Sequence, residues 1–251
     1  MQPYFTLVRR ELAAYFVSVT GYVIIAATAF LLGWSFDVLL RSLQSDPTPM
    51  PVTEIFYETL MFWVVMLLMA PVITMRLFAQ EKATGTFETL MTTPVSDFQV
   101  VAAKFTGACI FFMVMWIPLL ACLWIVHYFG GSSVGLDVGA LGATFLGIFL
   151  MGMVFIAAGC LASALTRTQM VAAMVSMATG LSLFMASFLP ERVGAANDDW
   201  RGQVLACFAF QDQMRDFARG AVDSRPIVFY LALTFFLLFL TLRVLEIRRW
   251  K

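Results

Sequence analysis

The chain has 251 residues, of which 61% are hydrophobic and 13% charged, with a mean hydropathy of +0.86 and a formal net charge of zero. A composition this apolar and this poor in charge excludes a soluble globular enzyme and is typical of an integral membrane protein. Lys and Arg form no cluster outside the expected membrane flanks, so nucleic acid is not an expected partner.

The first predicted element is an interfacial elbow helix over residues 2–16. Four apolar side chains recur there at helical spacing: Phe5, Val8, Leu12 and Tyr15. Three charged residues are predicted to lie to one side of them: Arg9, Arg10 and Glu11. The alternative is a polar lead-in to the first span. A cleaved signal peptide is not expected, because the apolar run that follows is too long and lacks a small-residue cleavage site.

Six apolar runs then follow, each long enough to cross about 30 Å of hydrocarbon at about 1.5 Å per residue. They cover residues 17–40, 59–78, 105–129, 139–165, 170–189 and 227–245. All should be helical, because hydrocarbon cannot satisfy an open backbone. Pro71 and Pro118 predict kinks in two of them. The sequence therefore predicts an all-α membrane protein, one domain over residues 1–251 with six transmembrane helices.

The fourth and fifth runs carry small residues at four-residue intervals. Those singled out as helix-packing or dimer positions are Gly147, Gly159, Ser176 and Gly180. Small residues let helix backbones approach closely in a membrane. Packing within the chain and packing against a second subunit both remain open from the spacing alone.

Charge predicts the orientation. With the N-terminus inside, ten of the 16 Lys and Arg residues fall in inner segments. This is the positive-inside bias, and it predicts that both termini are cytoplasmic.

The outer segments differ in character. Residues 41–58 contain Pro47, Pro49 and Pro51, which predict a stiff extended connector. Residues 190–226 are predicted to hold short re-entrant outer pieces, with an amphipathic one at 211–219 that stops at Gly220.

The coupling loop at residues 79–104 is the longest inner polar segment. Gly85 can cap a short helix that runs through Thr92, and Pro94 stops it. Ser96 followed by Gln99 fits a capping box that restarts the helix into the third span. A short amphipathic helix between two spans could dock a soluble partner. The alternative is a solvated loop with an amphipathic turn.

Two motif sets carry a family resemblance. The loop contains, in order, Glu81-Lys82, Thr84-Gly85-Thr86, Glu88-Thr89-Leu90 and Pro94-Val95-Ser96. The tail contains Phe217, Arg219-Gly220, Asp223, Glu246, Arg248-Arg249 and Trp250. Together they resemble the membrane subunits of type-2 (exporter) ABC transporters, closest to the gliding-motility GldF-like branch. Gln80 in place of the commoner Glu, Lys82 in place of Arg, and Pro226 in place of an acidic residue depart from that pattern.

The resemblance implies a permease subunit of an ATP-driven exporter in the bacterial inner membrane. Its loop helix would seat in a groove of a separate ATP-binding subunit, which binds the ATP and Mg²⁺. The residues that would make this contact are Glu81, Lys82, Thr86, Phe87, Glu88 and Leu90. The resemblance further implies a second permease copy or paralogue, an auxiliary membrane protein with a periplasmic domain, and membrane lipids as partners.

No catalytic, metal or cofactor motif is apparent in the sequence. The one histidine, His127, is interpreted as an interfacial polar residue, and no phosphate loop of the form GxxxxGK[ST] occurs. The four cysteines lack CxxC spacing. Two alternatives remain: a subunit that transports nothing and relays ATPase motion to periplasmic or gliding machinery, and an ion-driven carrier. The carrier is disfavoured because the middles of the spans hold few ionisable groups.

Overall fold

In a computed structural model, the described residues are 2–45, 52–86, 96–130, 138–188 and 207–249. Regular structure in these ranges is entirely α-helical. In chain order the helices are α1 (Gln2–Phe16), α2 (Val19–Ser45), α3 (Val52–Glu58), α4 (Leu60–Thr74), α5 (Ala79–Ala83), α6 (Asp97–Met115), α7 (Ile117–Gly130), α8 (Val138–Leu165), α9 (Gln169–Ala186), α10 (Phe210–Ala218) and α11 (Ser224–Arg249).

Six stretches of the described chain are long and apolar enough to cross a membrane, which confirms the predicted fold class. They are α2, α4 with α5, α6 with α7, α8, α9 and α11. The third span is divided into α6 and α7 at Trp116, two residues before Pro118, where the sequence predicts a kink. The helix α4 continues through Pro71 and ends three residues later.

The fourth span, α8, is the centre of the bundle. Its apolar side chains are the most deeply buried of the six spans, and it packs against α4, α6, α9, α10 and α11. The spans α2, α9 and α11 instead expose much of their apolar surface. An exposed apolar surface on a spanning helix is what lipid contact requires.

The prediction of an extended connector at 41–58 is wrong for residues 41–45 and 52–58, which are helical. The helix α2 continues to Ser45, and residues 52–58 form α3, leaving a shorter segment with the three prolines outside the described residues. The stretch after Pro51 contains neither Pro nor Gly and has Glu54 in its first turn, where a carboxylate favours a helix N-terminus. Phe56 and Tyr57 are buried, so packing stabilises this short helix.

The amphipathic piece predicted at 211–219 is confirmed as a helix, α10, which buries Phe210, Met214 and Phe217. Gly220 follows with φ of 84°, a left-handed conformation that favours glycine, and ends the helix as predicted.

The predicted N-terminal helix is also present as α1, but its packed side differs from the expected one. Val8 and Tyr15 are buried together with Glu11, whereas Phe5 remains 66% exposed. Apolar periodicity placed Glu11 on the polar side because it could not show the buried partner of this carboxylate.

Candidate functional site

The candidate site is the end of the bundle that carries α1, α5 and the beginning of α6, here called the loop end. The coupling loop is described over residues 79–86 and again from Ser96. Most of the short amphipathic helix predicted to run through Thr92 lies outside the described residues. The restart is confirmed: the Ser96 side chain accepts a hydrogen bond from the Gln99 backbone N–H at 3.3 Å, and α6 begins at Asp97.

The start of α5 is fixed by a hydroxyl from α8. The Ser163 Oγ accepts hydrogen bonds from the backbone N–H groups of Phe78 and Ala79, each at 3.1 Å. Ser163 is fully buried, and the first N–H groups of a helix have no partner within the helix itself. Ser163 therefore satisfies two backbone N–H groups that would find no hydrogen-bond acceptor in a hydrocarbon environment.

Lys82 makes the reciprocal contact from α5 to the end of α8. Its ammonium donates to the backbone carbonyl oxygens of Ser163, Ala164 and Thr166, at 3.4 Å for Ser163 and 3.3 Å for Thr166. The last carbonyls of a helix lack intrahelical partners and carry the negative end of its dipole. A lysine there both satisfies them and complements the charge. The helices α5 and α8 are thus held together from both directions.

An ion cluster joins three elements beside this contact. The Lys104 ammonium on α6 lies 2.8 Å from the Glu81 carboxylate on α5 and 3.1 Å from the Glu11 carboxylate on α1. Arg10 adds contacts to the same two carboxylates at 3.5 and 3.0 Å. The Lys104 side chain is only 3% exposed, so these carboxylates take the place of water around its ammonium. The side chains of Glu11 and Glu81 are 11% and 19% exposed.

Close packing between α1 and α6 lets these charges meet. A Cβ at Gly107 would lie 3.1 Å from the Glu11 Cβ, so glycine allows the approach. Tyr15 stacks on Phe111 with ring centroids 4.6 Å apart and donates from its hydroxyl to the Ile73 carbonyl oxygen at 3.0 Å. Burial raises the pKa of Tyr15 well above its ordinary value, so it remains a neutral hydrogen-bond donor.

The small residues of the fourth and fifth spans lie against side chains of the same chain. A Cβ at Gly159 would lie 2.1 Å from the Thr74 Oγ1, and Ser176 approaches that same hydroxyl at 3.5 Å. Gly147 faces Phe217 on α10, where a Cβ would lie 3.0 Å from the ring. Gly180 faces Phe155, where a Cβ would lie at an ordinary van der Waals distance of 3.5 Å from the ring. Whether any of them also contacts a second subunit stays a prediction.

The six residues proposed to contact an ATP-binding subunit fall into three groups. Glu81 and Lys82 direct their charged groups to α6, α1 and α8 of the same chain. Thr86 is exposed at the loop surface, where its hydroxyl contacts that of Thr84 at 2.9 Å. Phe87, Glu88 and Leu90 lie outside the described residues. Sequence reasoning missed the partners Glu11, Lys104 and Ser163, which are distant along the chain.

The opposite end of the bundle has an ion pair of its own. Glu54 on α3 has a side chain only 3% exposed and accepts from the Arg219 Nε at 2.9 Å and Nη2 at 2.6 Å. Arg215 donates to the Tyr57 hydroxyl at 3.1 Å. The hydrogen bond with Glu54 raises the pKa of Arg219. These contacts attach α10 to α3.

The described residues contain no group of three or more His, Cys, Asp or Glu that could hold a metal ion. The six apolar helices define a multi-pass helical membrane protein, and the start of its polar loop is attached to the bundle by hydrogen bonds and ion pairs. The sequence model of the family described as "ABC-2 family transporter protein" matches residues 11–219, which is most of the chain, and the protein belongs to that family. No curated protein matches the sequence.

Proposed function

We propose that this protein is the permease subunit of an ATP-driven transporter and that its loop over residues 79–104 receives the motion of a separate ATP-binding subunit. Membership of the ABC-2 family supports a membrane transport role with an ATP-binding partner in general. The GldF-like resemblance supports the finer assignment to an exporter of the bacterial inner membrane, acting as a dimer.

The attachment of α5 to three other helices is the observation that carries this proposal. Lys82 and Ser163 hold α5 to α8, while Glu81 and Lys104 connect it to α6 and α1. A force applied to the loop just after Thr86 would therefore act on several spans at once. Rigid-body movement of this kind is one of the ways in which a local event produces a large conformational change.

In this account the loop residues have two roles. Glu81 and Lys82 are positioning residues that connect the loop to the spans. Thr86, Phe87, Glu88 and Leu90 are proposed to face the ATP-binding subunit, with Glu88 as the charged contact. The family resemblance implies that all six residues touch the partner, whereas the contacts of Glu81 and Lys82 within the chain favour a positioning role for these two.

The experiment is purification from the native membrane in mild detergent, identification of the proteins that accompany the chain, and an ATP hydrolysis assay. Glu88→Arg should release the ATP-binding subunit or uncouple its hydrolysis from transport. Asp37→Arg is the control, because it reverses the charge of an exposed carboxylate whose ion pair with Arg41 lies at the surface. Isolation of the chain without an ATPase under several gentle conditions would contradict the proposal and favour ion-driven transport.

A further inference from the structure

A cavity of about 460 Å³ lies at the loop end between α1, the α4–α5 turn and the start of α6. Five charged side chains line it: Arg10, Glu11, Arg76, Glu81 and Lys104. Hydroxyl groups of Ser18, Thr84 and Thr86 complete much of the polar wall. At about 30 Å³ per water molecule, the space could hold a phosphate ester with its neighbouring glycerol atoms.

The charges around this cavity do not balance. Two cations, Arg10 and Lys104, pair with the two carboxylates, Glu11 and Glu81. The remaining cation is Arg76, which forms no ion pair with a carboxylate in the part of the chain that the structure describes. The cavity wall therefore carries one unneutralised positive charge.

Arg76 is also incompletely hydrogen-bonded. One terminal nitrogen donates to the Thr20 hydroxyl, but the Nε is buried and has no hydrogen-bond partner among the described residues. A buried donor on a charged group is costly to leave unpaired. An anion in the cavity would neutralise the guanidinium and allow a small rotation of the side chain to pair its remaining donors.

The position of Arg76 indicates which anion is available. It follows Met75, the C-cap of α4, and lies in the turn before α5, near the loop end of the second span, where a long cationic side chain can reach lipid headgroups. Basic pockets at such positions bind phospholipid headgroups, and the planar guanidinium suits phosphate oxygens. Next to Ser18 in the cavity wall, Val17 and Val19 are 81% and 79% exposed and could contact acyl chains.

We propose that this cavity binds a phospholipid, with its phosphodiester on Arg76 and its acyl chains along the exposed start of α2. A phosphodiester carries one negative charge, which matches the excess positive charge of the wall. The bound lipid would fill the junction between α1 and the coupling loop. The proposal rests on the membrane location and not on the ATP-binding partner, so either can fail independently.

The test is native mass spectrometry of the detergent-purified full chain, first delipidated and then titrated with phosphatidylethanolamine or phosphatidylglycerol. Arg76→Gln should weaken retention of either lipid roughly tenfold, as expected for loss of a charged hydrogen bond. Arg243→Gln should leave retention unchanged, because this arginine pairs with Glu246 on the surface of α11. Equal retention by the wild type and Arg76→Gln would overturn the proposal.

A second variant and a second ligand keep the result interpretable. Thr84→Trp places a bulky side chain at an exposed residue of the cavity wall and leaves Arg76 intact, so it should also weaken lipid retention. Full retention by Thr84→Trp would contradict the assigned location even if Arg76→Gln failed to fold. Displacement of the lipid by millimolar inorganic phosphate would show a site for free phosphate and overturn the lipid assignment.

Discussion

The Lys104 ammonium lies 2.8 Å from the Glu81 carboxylate, although the two residues are 23 positions apart and most of the coupling loop lies between them in sequence. The contact closes the loop at its base. It joins α5, which precedes residues 87–95, to α6, which follows them. The contacts of Glu11 and Arg10 extend the attachment to α1.

Lys104→Met should destabilise the protein strongly. The substitution leaves the Glu11 and Glu81 carboxylates without their buried ammonium, and removing one partner of a buried pair costs about 3–5 kcal/mol. Equilibrium unfolding in detergent micelles measures the change. Arg243→Met breaks an exposed pair with Glu246 and should cost less than about 1 kcal/mol. Equal effects of the two substitutions would contradict a buried role for Lys104.

Lys82→Met distinguishes a positioning role from direct contact with the proposed ATP-binding subunit. Because the Lys82 ammonium donates to carbonyl oxygens at the end of α8, its loss should reduce transport coupled to ATP hydrolysis while the affinity for the partner stays unchanged. Glu88→Arg should instead lower that affinity. Titration of the purified ATP-binding subunit measures both variants. A similar loss of affinity in both would restore Lys82 to the contact surface.

Gly159→Ala and Gly180→Ala form a matched pair. The new methyl group at 159 would lie 2.1 Å from the Thr74 Oγ1, whereas the one at 180 meets Phe155 no closer than 3.5 Å. Overpacking costs typically about 1–3 kcal/mol, so only Gly159→Ala should lower the unfolding temperature clearly. Thermal unfolding followed by circular dichroism in detergent tests the difference. Wild-type stability of Gly159→Ala would contradict the close approach of α4 and α8.

Arg219→Gln should loosen α10 at the opposite end of the bundle. It removes two donors from the buried Glu54 carboxylate, and Arg215 remains 3.8 Å away as a weaker partner. An unpaired buried acceptor costs about 1–3 kcal/mol. Hydrogen exchange of the α10 amides should rise in this variant and stay unchanged in Arg225→Gln, since Arg225 is exposed. Unchanged exchange in both would mean that other contacts hold α10.

The spanning helices could be predicted because their signal is local. Each span is an apolar helix of at least 18 residues, a length that can cross the hydrocarbon core. Ser96 with Gln99 forms a cap from residues three positions apart. The helix α10 was likewise predictable from its amphipathic spacing and from Gly220 at its end.

The pairings that build the candidate site could not be predicted in this way. Glu11 and Lys104 are 93 positions apart, and Glu54 and Arg219 are 165 apart. Sequence periodicity shows which face of a helix is apolar but not which distant charge will neutralise a buried carboxylate. For the same reason the buried position of Glu11 and the helix α3 were missed, since both depend on tertiary packing.

The most direct test of the proposed function is site-specific photocrosslinking in the native membrane, with the photoreactive residue at position 88 and, as a control, at position 37. The account predicts a crosslinked product from position 88 that contains an ATP-binding subunit and that changes in yield when ATP is added. Position 37 should give no such product. Absence of an ATP-binding protein among the products from position 88, with the chain intact and folded, would contradict the account.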